Sequence, residues 1–303
     1  MSVRMLSCST LLAAAAASCW PLTSQAATVS IDDFQISRNG GLFFRDTFGD
    51  GLPPPSAPDF PSGTAATYNV FGTIPANAES GGFLALNSAN GDLSANALEQ
   101  ARIGVRVRLN TNIDPLDLAA GLKSDDTLSL TGIFRLSPLT GILNPQYAIR
   151  FADTPGGDVG NHQLLQLQVR TDTTTGLTTV RYLLQDFDAN TISVLGEAPV
   201  APPAGADEIL LNISRPSTAN NNFVGSFAYL TGGITGPTTA FAQTGQMFQG
   251  ENFVRAEFNI SDGVLAAVPE PESYAMLLAG LGLLGFVARR RKHVNRSPDA
   301  SAQ

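Results

Sequence analysis

Along most of this chain apolar and polar side chains alternate with a period of two, the pattern of strands that bury one face. The clearest run is Arg102 to Leu109, where Ile103, Val105, Val107 and Leu109 share one face and Arg102, Arg106 and Arg108 the other. The same alternation links Leu128, Leu130, Phe134 and Leu136; Tyr147, Ile149 and Phe151; Leu165, Leu167 and Val169; Val180, Tyr182 and Leu184; and Ile209, Leu211 and Ile213. Phe223, Phe227 and Tyr229 continue it, as do Val254, Ala256, Phe258 and Ile260. Earlier candidates are Val29 to Ile36, Leu42 to Phe44, Tyr68 to Gly72 and Gly82 to Leu86. Helix competes only as short turns near Ala95 to Gln100 and Asp114 to Ala120. Roughly a dozen strands separated by Gly, Pro, Asn and Asp turns predict an all-β fold, a two-sheet antiparallel sandwich of jelly-roll type.

Residues 27–268 number 242, enough for one sandwich with a large core. Asp50 to Gly63 carries Pro53, Pro54, Pro55, Pro58 and Pro61 and reads as a surface loop, as does Pro199 to Gly205. Neither divides the region convincingly, because too few residues precede the first to fold alone. The region holds 23 acidic residues against 12 basic ones, a formal charge of −11, and Lys123 is its one lysine. That balance argues against nucleic acid and against anionic lipid surfaces, both of which require a basic stripe.

Both ends carry the marks of export. Arg4 precedes an apolar stretch from Met5 to Trp20, and Ser24-Gln25-Ala26 places small residues at −3 and −1, so residues 1–26 read as a secretory signal peptide engaging the Sec machinery. Cleavage is expected after Ala26, with Ala27 as the alternative. Cys19 could instead be a lipidated terminus, although Ala16 stands where a lipobox has leucine. Both cysteines, Cys8 and Cys19, fall in the segment to be removed, which leaves a mature chain without thiols and excludes cysteine catalysis and cysteine-bound metal. At the other end, Val268-Pro269-Glu270-Pro271-Glu272-Ser273 leads into an uncharged run, Tyr274 to Ala288, and then Arg289-Arg290-Arg291-Lys292. Fifteen helical residues rise about 22 Å, short of the roughly 30 Å hydrocarbon core. The basic cluster keeps the tail 293–303 in the cytoplasm and leaves everything before Pro269 across the membrane.

This tail resembles a PEP-CTERM sorting signal, read over 269–292 with its hydrophobic helix at 274–288. The resemblance implies a Gram-negative bacterium that makes extracellular polysaccharide, and an exosortase that recognises Pro269, Glu270 and Pro271 beside the Arg289, Arg290 and Arg291 end and removes the helix. Two prolines that fix φ and lack N–H donors would keep the motif extended outside the bilayer. An ordinary single-pass tail anchor is the other reading. Gly280, Gly282 and Gly285 spell G-x-G-x-x-G, but without a strand before them and a turn around them they do not mark a dinucleotide site. The strand-and-turn pattern of residues 27–268 is similar in style to concanavalin-like and laminin G sandwiches, with no residue motif to carry over.

Candidates for chemistry are few. The exported region has one histidine, His162, and no G-x-S-x-G elbow, so neither a Ser-His-Asp set nor a histidine-rich zinc site can be assembled. Glu251 and Glu257 lie six apart without a glycosidase motif, and Glu99, Glu197 and Glu208 are scattered. No catalytic residue is assigned. Calcium is the ligand that suits the hard oxygen donors, at Asp46 and Asp50, at Asp186 and Asp188, or at Asp32 and Asp33; turn capping is the competing role. The Arg102, Arg106, Arg108 stripe would grip an acidic polysaccharide or pair with neighbouring strands. Tyr147, Tyr182 and Tyr229 would form a sugar-stacking platform or belong to the core. The expectation is a non-enzymatic protein at the cell surface or in the exopolysaccharide matrix, structural or carbohydrate-binding, with a secreted glycosidase or lyase and a protein-binding adhesin as alternatives.

Overall fold

The computed structural model describes residues 26–56, 58–60, 68–93, 100–108, 127–154, 163–186, 189–217, 219, 222–246 and 253–263. The turn expected near Ala95 to Gln100, except Gln100, which opens a strand, the turn expected near Asp114 to Ala120, most of the signal peptide and the whole sorting tail lie outside these residues. The described strands are β1 (Thr28–Arg38), β2 (Gly41–Asp46), β3 (Tyr68–Phe71), β4 (Glu79–Ser80), β5 (Phe83–Asn87), β6 (Asp92–Leu93), β7 (Gln100–Arg108), β8 (Leu128–Arg135), β9 (Gln146–Thr154), β10 (Gln163–Thr171), β11 (Thr178–Asp186), β12 (Thr191–Pro199), β13 (Glu208–Arg215), β14 (Asn222–Thr231), β15 (Ile234–Ala240), β16 (Gly245–Gln246) and β17 (Phe253–Gly263).

They form two antiparallel sheets, as the alternation predicts. The first runs β15-β14-β13-β8-β1-β5-β4, with β2 on β1 and β16 on β14; the second runs β12-β11-β10-β9-β17-β7-β3, with β6 on β7. The chain crosses between the sheets repeatedly, and two meanders, β9 to β12 and β13 to β15, fill one side of each.

The apolar sets named from the sequence face each other between the sheets. Phe34 of β1 meets Phe258 of β17 edge to face at 4.8 Å, Phe134 of β8 lies 4.7 Å from Tyr147 of β9, and Phe151 lies 5.6 Å from Phe223. These rings are fully or almost fully buried, and each contributes on the order of 1.5–3 kcal/mol by leaving water. Tyr182 also enters this core, where its hydroxyl donates to the Phe223 carbonyl at 2.9 Å. A Cβ on Gly225 of β14 would stand 2.7 Å from that tyrosine ring, so only glycine lets the ring lie flat against the strand.

Two edge strands escape the sequence pattern. β15 is exposed at every position, and β12 is exposed over its first four residues, so neither has a buried face to impose alternation.

Candidate functional site

The same period-two rule that sends Ala256, Phe258 and Ile260 of β17 into the core points Arg255, Glu257, Asn259 and Ser261 out of the second sheet. Register then decides the neighbours. Glu257 is paired directly with Arg106 of β7 on one side and Arg150 of β9 on the other, while Arg102 stands opposite Ser261 and Arg255 lies two residues back along β17. Arg106 Nε donates to Glu257 Oε1 at 3.0 Å, Arg150 Nε donates to Oε2, Arg255 Nε lies 2.6 Å from Oε1, and Arg102 Nη2 lies 3.7 Å from Oε2.

Glu257 is wholly buried, whereas the Arg102 and Arg106 side chains keep 24% and 32% of their surface exposed. Burial pushes the Glu257 carboxyl up, but Arg150, Arg255 and Arg106 together outweigh it and hold the group below the ordinary glutamate range. It is therefore a carboxylate at neutral pH. Four guanidinium groups surround this one carboxylate, in a chain whose net charge is −8.

Two neighbours shape the cluster. Phe71 of β3 receives both Arg102 and Arg106 on its ring, at 5.3 and 5.1 Å from the centroid. Gly104, between the two arginines, has no room for a side chain, since a Cβ would come within 2.2 Å of the Phe258 carbonyl oxygen. That close approach of β7 to β17 brings the arginines within reach of Glu257. Asn259, opposite Gly104, is buried, and its Nδ2 has no hydrogen-bond partner among the described residues.

A second buried glutamate has the opposite surroundings. Glu79 of β4 accepts from the Gly51 N–H at 2.8 Å through Oε1. Burial, contact with the Asp50 carboxyl and the nearby charge of Asp46 push it up to about 7, against the lowering effect of the Gly51 bond. Asp46 is itself buried, and its Oδ1 accepts from the N–H of Phe48, a core residue held at φ 51°. Asp50 Oδ1 accepts from Leu52 N–H. A related exposed set on β1, β8 and β13 joins Asp32, Arg135 and Glu208, where contact with Asp32 and partial burial raise Glu208 to about 7.

The residues named from the sequence divide accordingly. Arg102 and Arg106 pair with the neighbouring strand through Glu257, and Arg108 sits in register with Arg255. The tyrosine platform is overturned: Tyr147 and Tyr182 are core side chains, and the Tyr229 hydroxyl accepts from Ala201 N–H. Asp33 pairs with Arg45 and Asp32 with Arg135, while Asp186 Oδ1 accepts from Ala189 N–H, so these carboxylates cap and staple. Among the described residues no three His, Cys, Asp or Glu side chains are grouped to hold a metal. Asp188, His162, Glu99, Glu251 and the sorting residues Pro269, Glu270, Pro271, Arg289, Arg290 and Arg291 lie outside the described residues. At the expected signal cleavage, Ala27 is buried and its N–H donates to Ser88 Oγ at 3.0 Å. Sequence reading missed Glu257 as the hub; the signal available was a charged residue flanked by inward-facing Ala256 and Phe258.

The second sheet thus defines an all-β sandwich with an arginine-rich outer face. Residues 267–292 match the family model of the PEP-CTERM protein-sorting motif, so the chain carries the address of a protein exported and sorted to the cell envelope or surface. Neither a curated protein nor a solved structure matches it.

Proposed function

We propose that this is a non-catalytic protein of the cell surface or extracellular matrix, whose sandwich has a structural or carbohydrate-binding role and whose C-terminal helix tethers the precursor to the inner membrane until exosortase removes it. The sorting motif at 267–292 carries the reading. The partly exposed Arg102 and Arg106 on the outward face of the second sheet support binding over a purely structural role. Cleavage after Ala26 would leave the Ala27 amino group to donate to Ser88 Oγ; cleavage after Ala27 would remove that bond.

Intact-mass measurement of the protein recovered from envelope and culture fractions tests the processing. The expected mature form begins at Ala27 and lacks Tyr274 to Gln303, and changing Pro269 and Pro271 to Ala retains the tail. An exported wild-type chain with an intact C-terminus contradicts the proposal. Incubation with a polysaccharide panel tests the role: retention without release of reducing ends is expected, and release of ends would make it an enzyme instead.

A further inference from the structure

Among the described residues, the second sheet gathers four guanidinium groups around one carboxylate. Arg150 is almost wholly buried against Glu257, but Arg102 and Arg106 reach outward, and neither pairs with another carboxylate among the described residues. Arg106 commits its Nε to Glu257 and Arg102 only approaches it at 3.7 Å, and both side chains stay partly exposed. Phe71 fixes both side chains in place, so holding them for a ligand carries little further entropy cost.

We propose that Arg102 and Arg106, braced on Phe71 and backed by Glu257, bind a carboxylate-bearing polysaccharide. This rests on the carbohydrate-binding reading above and specifies its ligand. The planar fork of arginine matches a carboxylate, and Glu257 shows that this cluster already seats one. One ion pair at a partly exposed arginine gains little, because water screens it. Useful affinity therefore requires repeated charges on one chain, so that each sugar carboxylate raises the effective concentration of the next.

The test compares the full chain, kept in nonionic micelles, on polygalacturonate, dextran and polyglutamate. Expected are retention on polygalacturonate that fades as salt screens it, and about tenfold weaker retention for Arg102→Gln with Arg106→Gln. Arg106→Lys should be intermediate, because it keeps the charge and loses the fork. Glu257 keeps Arg150 and Arg255 in the double variant, and an unchanged melting temperature confirms that it folds. Polygalacturonate retention equal to wild type in that variant overturns the inference. Equal, arginine-dependent retention on polyglutamate overturns it in favour of an acidic peptide. Retention on dextran alone overturns it while leaving the carbohydrate-binding reading intact; retention on no glycan removes both.

Discussion

Glu79 and Glu257 are both glutamates with almost no exposed surface, one at the rim of the first sheet and one on the outer face of the second, yet their carboxyl groups are shifted in opposite directions. Burial pushes each carboxyl up. At Glu79 the contact with Asp50 and the charge of Asp46 push the same way and the group reaches about 7; at Glu257 the arginines reverse the sign. Both are buried, so it is the charge of the neighbours that separates them: carboxylates beside Glu79, and arginines brought by strand register beside Glu257.

The largest way to break this contrast is to remove the anion. Glu257→Ala leaves four guanidinium groups facing one another on a crowded face, and a loss of about 3–5 kcal/mol in unfolding free energy is expected from denaturant titration. A loss below about 1 kcal/mol would mean that the cluster is already solvated well enough to need no partner.

A smaller effect follows at the other glutamate. Because the folded state raises Glu79 from 4.5 to about 7, it holds a proton that the unfolded chain has released. That contribution to stability is complete below about 4.5 and disappears as pH rises through about 7. Glu257, being lowered, contributes in the other direction: its stability is present above the ordinary glutamate value and is lost as pH falls through its depressed value. Thermal melts should therefore peak in mildly acidic buffer. Glu79→Gln should flatten the alkaline side of that curve and raise the melting temperature at pH 8, while changing little near pH 5, since the amide keeps the Gly51 bond and carries no charge. A variant that melts lower than wild type at pH 8 would refute the assignment.

Much of this fold was legible in the sequence. Every long run of alternation became a strand facing the core, because the inward set had a second sheet to bury against. β12 and β15 were not legible, since exposure on both sides leaves no pattern to read. The site was legible only by half. Arg102 and Arg106 announce a shared face, but their partner is 151 residues from Arg106 in the chain, and only the register of β7, β17 and β9 brings it there. The tyrosines misled for the complementary reason: alternation says that residues share a face, and only packing says which face is inside.

A modest effect sharpens the contrast between buried and surface pairs. Arg45 binds Asp33 through three hydrogen bonds of 2.8 to 3.3 Å, but its side chain is 43% exposed. Arg45→Ala should therefore cost only about 0.2–1 kcal/mol by denaturant titration. A cost matching that of Glu257→Ala would show that exposure does not discount such pairs in this protein.

The most direct test is to follow the two side-chain carboxyl carbons by NMR across a pH titration. Glu79 should change its chemical shift near pH 7, and Glu257 should stay ionised until the solution is more acidic than the ordinary glutamate range. Finding both titrating together, or Glu257 taking up its proton first, would contradict the claim that the neighbouring charges set the ionisation of each buried glutamate.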